Sequence, residues 1–444
     1  MMKETNKMKK TVIDYNTDLT GLINIDGKKL PINNAIKGET LEVNYTNNKK
    51  TLKVDKIIEP SIYRITPPCN IYNRCGGCKL LHIKYEHQLE LKTNLVKELF
   101  KDFKVKINDT LGMTNPNHYR NKNQIVFGFD DKRRIVSGFY EEFTHKIVNF
   151  ETCYVQDEIS DNIVKTIKDL FLKMHIMPYD ETKRRGLIRH VMIKRSKALN
   201  ETMVIIVTSQ DVFPGRQNFI KALLAKHKDI TTIIQNINPK ATTHVLGDKE
   251  IVLFGKGYIN DILCDCKFKI SSKSFYQINP TQTKVLYEKA IELANLKKDE
   301  IVLDAYSGVG TIGIVLSKNV KKVISVELEK SSHIDAINNA KINNIKNIQF
   351  FNDDATRFII NLANKKEHID VVIMDPPRKG SDEGFLKAVL KLKPKKIIYI
   401  SCNPQTQVID LKYLINDYKI TYVQPVDMFP QTHHVETVVC LERK

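Results

Sequence analysis

VLDAYSGVGTIG, Val302 to Gly313, decides how the C-terminal part of this chain folds. An aliphatic run with the character of a strand reaches Asp304. A turn carrying Gly308 and Gly310 follows, and a helix begins. Strand, glycine turn and helix in that order form the opening unit of an open parallel sheet, where small residues let a ligand approach the backbone. The turn lacks the full G-x-G-x-x-G spacing, which weighs against a pyrophosphate-binding dinucleotide site. Around it, strand-like runs (EIVLDAY, KVISVEL, IQFFNDD, IDVVIMD, KKIIYIS, VETVVCLE) alternate with helical ones (TIGIVLSK, SHIDAINNAKINN, GFLKAVLKL). This alternation predicts βαβ units on a parallel sheet covered on both faces, with VETVVCLER as an edge strand.

Open sheets of this kind bind ligands beyond the carboxyl ends of their strands. Glu327 ends the second run, where a carboxylate can accept hydrogen bonds from both hydroxyls of a ribose. Asp354 follows the third, within reach of an adenine amino group. Taken singly, Glu327 also reads as a solvated strand end and Asp354 as turn chemistry. The fourth run ends in IMDPPRKG, which puts Asp375 at a strand tip, pins the backbone with two prolines and adds Arg378 and Lys379.

The next run, IIYISCNPQT, carries Ser401 and Cys402 to a strand tip that Asn403–Pro404 breaks at once. A buried core thiol is the common fate of cysteine, but this position faces the crevice. A thiolate there suits conjugate addition to C6 of a pyrimidine. Addition makes C5 nucleophilic toward the methyl group of a sulfonium cofactor. A base must then take the C5 proton. Glu436, in HHVETVV beside His433 and His434, is the candidate, because partial burial raises a carboxyl toward the useful range. Its plainer reading is a polar residue of an edge strand.

Upstream, three regions differ in style. Residues 11–60 hold short alternating runs (TVIDY, GLINIDG, ETLEVNYTNN, TLKVDKII) that read as a small barrel, oligonucleotide-binding-like in its Lys and Asn content or simply a packing sheet. The basic start, MMKETNKMKK, reads as a flexible tail. Cys69, Cys75 and Cys78 stand at C-x5-C-x2-C in PPCNIYNRCGGCKLLH, and Cys153 follows in NFETC. Four thiolates suit zinc or an iron–sulfur cluster; zinc knuckles usually show two close pairs, so three-plus-one leans toward the cluster. Cys264, Cys266 and Cys440 read as ordinary thiols. A helix is predicted over Tyr85 to Phe103, and residues 104–260 mix strands with helices at DNIVKTIKDLFLKMH and RQNFIKALLAKH, an α+β domain with a largely antiparallel sheet. The divisions fall at 1–60, 61–270 and 271–444.

The 444 residues carry a formal net charge of +19, spread along the chain, with no Trp. A field of that sign suits a polyanion, and nucleic acid fits better than a membrane surface. There is no apolar run long enough to span a bilayer and no secretory signal. The reading is a cytoplasmic monomer in a reducing compartment, with no membrane partner.

With these motifs in place the chain resembles the RNA uracil-5-methyltransferases, the family of the bacterial 23S ribosomal RNA enzymes and the related transfer RNA enzymes. The resemblance rests on FYQINPTQT (275–283), LDAYSGVGTIG (303–313), DPPRKG (375–380), SCNP (401–404) and HHVET (433–437), and covers nearly the whole chain. It implies a Rossmann-like S-adenosylmethionine-dependent methyltransferase domain at the C-terminus, a central α+β domain carrying an iron–sulfur site, and an N-terminal TRAM barrel that binds RNA. The resemblance implies Cys402 as nucleophile and Glu436 as base. It assigns S-adenosyl-L-methionine contacts to Gln277, Tyr306, Glu327, Asp354 and Asp375, and a 4Fe–4S cluster to Cys69, Cys75, Cys78 and Cys153. The expected reaction is C5 methylation of a uridine in 23S ribosomal RNA through a Cys–C6 adduct. The alternatives are the same reaction on the T-loop of transfer RNA and, from another class, a non-catalytic RNA-binding iron–sulfur assembly protein.

Overall fold

The computed structural model describes residues 6–45, 52–142, 144–240 and 244–444. Five antiparallel strands come first: Asn6–Tyr15, Gly21–Ile25, Lys28–Ile32, Thr40–Tyr45 and Lys53–Glu59. The basic start expected as a tail is therefore already strand from Asn6. Residues 1–5 and positions 46–51, where the runs ETLEVNYTNN and TLKVDKII meet, lie outside the described residues. A parallel bridge between Ile32 and Leu52 joins the two sheet edges, so the sheet closes on itself. Inward residues Val12, Ile23, Ile25, Ile32, Leu41 and Val43 fill it. Asp26 and Gly27 both take positive φ, 49° and 80°, as a tight two-residue hairpin requires.

The central part is a seven-stranded sheet, largely antiparallel as expected, with one parallel pair between Glu201–Thr208 and Ile230–Ile237. Period-two alternation splits its residues between two cores. Val204 and Ile206 face the helices Glu158–Lys173 and Arg216–Lys226, meeting Ile167, Phe171, Phe219 and Leu223. Met203, Ile205 and Val207 point the other way, into a core shared with Val302, Ile314 and Val323 of the C-terminal sheet.

That C-terminal sheet has the strand order Ile348–Asn352, Lys322–Glu327, Ile301–Ala305, Val371–Met374, Lys396–Ser401, Glu436–Arg443, Tyr418–Val426. The first five run parallel. The expectation of an edge strand at VETVVCLER fails: Glu436–Arg443 lies inside the sheet, antiparallel to both neighbours, and Tyr418–Val426 is the edge. The first six residues of Glu436–Arg443 are all buried. A strand apolar on both faces belongs between neighbours, and the unbroken run TVVCL carried that signal.

The helix Tyr85–Leu99 ties the parts together. Val96, with Phe100 just beyond, enters the C-terminal core. Leu91 packs instead with Leu19 and Ile36 of the barrel and Leu80 and Ile83 of the cysteine-rich segment. Lys92 Nζ meets Asp427 Oδ1 at 2.5 Å with both side chains fully buried, and Tyr85 donates its hydroxyl to Asp427 Oδ2 at 2.8 Å. Gln88 bonds Leu80 O, Ile83 O and Gln431 Oε1. The helix thus fixes the segment that leads into Glu436. Among the described residues no helix is long and apolar enough to cross a membrane.

Candidate active site

Strand order reverses between Ile301–Ala305 and Val371–Met374, the switch point at which open sheets leave a crevice. A cavity of about 300 Å³ opens there, lined by Gln277, Tyr306, Gly308, Glu327 and Asp375 among others. Tyr306, Gly308 and Gly310 take φ of 66°, 57° and 79°, so the backbone turns sharply at the strand tip. A Cβ on Gly308 would meet nothing within 4 Å, which leaves its backbone open to a ligand. Glu327 is held by two backbone N–H groups: Gly308 N donates to Oε2 at 2.8 Å and Glu329 N to Oε1 at 2.7 Å. Each oxygen keeps a further lone pair for a donor.

Of the five residues expected to bind the cofactor, Asp354 stands apart. It caps the helix Ala355–Asn364, its Oδ1 accepting from Arg357 N at 2.9 Å, and it is not in the cavity wall. Gln277 reaches the cavity from the loop before helix Pro280–Ala294. Asn121 donates backbone N–H to Ile278 O and side-chain N–H to Gln277 O, which anchors the loop to the central domain. Asp304, at the strand end, is structural. Its buried Oδ2 accepts from Gly313 N at 3.0 Å, and a Cβ on Gly313 would sit 2.7 Å from that oxygen. Burial pushes its carboxyl up to about 7.

Cys402 emerges from Lys396–Ser401 and is followed by Asn403, which caps helix Pro404–Leu414. Asn403 Nδ2 and Thr406 Oγ1 both donate to Arg378 O, strapping the Arg378 loop over the thiol. The pairing of Ser401 with Thr437 sets the register, and the next positions along are Cys402 and Glu436. Two residues far apart in sequence are brought together by one antiparallel ladder. Burial, then the carboxylates of Glu436 and Asp375, push the Cys402 thiol up to about 11, while the Arg378 guanidinium pulls it down. Burial and the charge of Asp375 raise the Glu436 carboxyl, and Asp375 is raised by burial in turn. Close carboxyls of this kind favour sharing a proton.

A second cavity of about 210 Å³ is lined by Cys402, Arg378, Asn403, His433 and His434, and also by Thr17 and Asp18 of the barrel. Burial lowers both histidines, His434 to about 3, so neither carries charge near neutral pH. The barrel's part in this cleft has no signature in the sequence, because it depends on how the ends of the chain meet. Arg378 is legible as charge beside the crevice, but its position over the thiol is not.

Cys69, Cys75, Cys78 and Cys153 all carry free thiols. Burial raises Cys78, and the other three sulfurs add to the rise, so the set shares one neighbourhood. Among the described residues, however, no group of three or more His, Cys, Asp or Glu side chains forms a metal-binding cluster.

The family described as tRNA (uracil-5-)-methyltransferase matches residues 84–444. An uncharacterized RNA methyltransferase of Halalkalibacterium halodurans is 40% identical over 442 residues, covering 98% of this chain and 96% of its own. One from Staphylococcus aureus is 40% identical over 441 residues, 98% of this chain and 97% of its own. Among solved structures, the tRNA (uracil-54, C5)-methyltransferase of Pyrococcus abyssi with S-adenosyl-L-homocysteine superposes with TM-score 0.78 at 28% identity, covering 98% of this chain and all of that one.

Proposed function

The chain belongs to the tRNA (uracil-5-)-methyltransferase family, S-adenosylmethionine-dependent enzymes acting on C5 of uridine in RNA, and on that premise we propose a target in the T-loop of transfer RNA. The sequence reading favoured 23S ribosomal RNA. The transfer RNA reading now leads because the full-length structural relative is named for that substrate. Labelled methyl transfer to unmodified transfer RNA and to large-subunit ribosomal RNA tests it. Mapping of the label to a transfer RNA uridine is expected; incorporation into ribosomal RNA alone overturns it.

The observation that carries the chemistry is the juxtaposition of Cys402, Glu436 and Asp375 beside the crevice. Bound S-adenosylmethionine supplies an electrophilic methyl group. Glu327 would hold its ribose hydroxyls, and Gln277, Tyr306 and Asp375, which line the same cavity, would surround the remainder. Asp354, which caps its helix outside the cavity wall, is assigned to the cofactor by the family resemblance alone. Cys402 gives up its proton to solvent and its Sγ adds to C6 of the uracil, the C5–C6 electron pair shifting toward O4 as an enolate whose C5 is the nucleophile for the methyl group. Arg378 offsets the thiolate charge. Glu436 then takes the C5 proton, the C5–C6 double bond re-forms, and the thiolate leaves. His433 and His434 are neutral and wall the cleft.

Two further assignments belong to this reading. Residues 1–60 are a TRAM-like RNA-binding barrel preceding a central domain (61–270) and the methyltransferase domain (271–444). Cys69, Cys75, Cys78 and Cys153 would hold a 4Fe–4S cluster, for which an all-thiol donor set is suited. The cluster would link two separate stretches of chain. Protein purified without oxygen should then carry iron and sulfide in equal amounts, lost in Cys78→Ala together with much of the stability. Stoichiometric zinc without iron overturns the assignment.

A further inference from the structure

The loop Asn16–Thr20 of the barrel lies against the nucleophile's cleft. Asn16 Oδ1 accepts from Asp18 N at 3.0 Å and Thr20 N at 2.9 Å, which shapes the loop as an Asx turn. Leu19 takes φ of 55° and buries its side chain among Ile36, Leu80, Ile83 and Leu91. With Leu19 held, its neighbours Thr17 and Asp18 join Cys402, Arg378 and His433 in the wall of the cleft.

Two polar groups in that wall are unspent. The Asp18 side chain is 53% exposed, and its Oδ1 lies 3.9 Å from His433 Nε2, beyond hydrogen-bond reach. Buried His433 Nδ1 has no hydrogen-bond partner among the described residues. Because burial keeps His433 neutral, the contact is not an ion pair that would occupy the carboxylate.

A carboxylate only accepts hydrogen bonds and repels phosphate. Beside Arg378, in a chain of net charge +19, it is the wrong group for gripping an RNA backbone and the right one for a base edge that donates. Its two oxygens match the paired N1–H and N2–H donors of guanine.

We propose that Thr17 and Asp18 form a specificity element that reads a guanine next to the target uridine. The proposal rests on the assignment of the cleft as the uridine site. It makes the barrel a part of target selection at the reacting loop, in addition to any role as a tether.

The experiment uses the full-length protein saturated with S-adenosylhomocysteine and stem-loop RNAs with one loop uridine. The nucleotide on each side is set in turn to guanosine, inosine, adenosine or cytidine, and affinity is measured by competition. At one flanking position guanosine should bind about tenfold more tightly than inosine, which lacks the N2 donor. In Asp18→Asn, guanosine should lose its advantage to within about twofold, because the amide replaces one acceptor by a donor. S-adenosylhomocysteine binding, measured in the same variant, reports that it is folded. Equal binding of guanosine and inosine hairpins by the wild type overturns the proposal, as does full discrimination retained in Asp18→Asn. Should that variant not fold, the wild-type guanosine–inosine comparison decides alone. Methyl transfer to the same hairpins is scored separately with S-adenosylmethionine. Methylation without discrimination sinks the guanine reading only, and discrimination without methylation of any RNA sinks the uridine assignment only.

Discussion

On the proposed mechanism Cys402 and Glu436 act on the same ring at different times, so their variants should fail differently. Cys402→Ala should abolish the covalent protein–RNA species and methyl transfer together. Glu436→Gln should still permit attack at C6 and methylation at C5 but retain the C5 proton. A methyl-labelled, denaturant-stable adduct should accumulate while turnover drops roughly 10²–10⁴-fold. A methyl-labelled adduct formed by Cys402→Ala would move the nucleophile elsewhere, with Cys440 next to test. Normal turnover by Glu436→Gln would move the base. The pH profile tests the carboxyl pair. Burial and Asp375 raise Glu436, and a base with a raised pKa gains its working form only as pH climbs through that value. The single-turnover rate should therefore rise with pH from neutrality upward, first through Glu436 and then through the Cys402 thiol, which burial raises further. Asp375→Asn removes one of the charges raising Glu436, so the acidic limb should shift to lower pH, whatever happens to the plateau. An unmoved limb would uncouple the two groups. At this scale most of the site was legible, because Cys402, Glu327 and Asp375 sit at strand tips that the local pattern exposes. Gln277 was not: it lies in an irregular loop held by Asn121 of another domain, and only the family resemblance pointed to it.

Among elements, six of the seven strands of the C-terminal sheet were readable from alternation, but Tyr418–Val426 was not among them, and so the place of the last strand was not readable either. Local pattern says that a run is a strand; which neighbour it pairs with depends on the long return Tyr418–Val426. The misplaced strand matters, since its interior position is what sets Glu436 against Cys402. Helix Tyr85–Leu99 was also visible in outline, while Lys92 on it looked like any surface lysine. Its 0% exposure is decided by Asp427 at the far end of the chain. Removing one member of a fully buried pair strands the other, at a cost of about 3–5 kcal/mol. Lys92→Ala should lose stability on that scale in chemical unfolding and loosen the segment from Asp427 to Val435. Lys92→Met combined with Asp427→Leu should recover much of it, because an apolar pair needs no compensation. A loss below about 1 kcal/mol in Lys92→Ala would show that water reaches the site after all.

For the whole molecule, charge and connectivity make separate predictions. RNA affinity should fall steeply with salt as counterions are released, and a flat salt response would remove the +19 charge from the binding account. Deleting residues 1–60 should do more than weaken RNA binding. It removes Thr17 and Asp18 from the cleft and strips Leu19 and Ile36 from Leu80, Ile83 and Leu91. The truncated protein should show a lower maximal rate at saturating RNA as well as a raised half-saturation point; an unchanged maximal rate would leave the barrel a tether. The basic composition announced a polyanion partner, but no pattern within one segment could announce that barrel, helix and catalytic sheet interlock.

That interlocking has a kinematic consequence. Met203, Ile205 and Val207 share one core with the sheet that carries the crevice, and Val96 and Phe100 lock the Tyr85–Leu99 helix to that same sheet. A jaw needs a slip plane between its halves, and a shared close-packed core offers none without breaking contacts. On that packing the two sheets are expected to move as one body on substrate binding. On the proposed reaction the displacement would then fall to the nucleic acid, whose uridine would swing out of its stack to reach the Cys402 thiol.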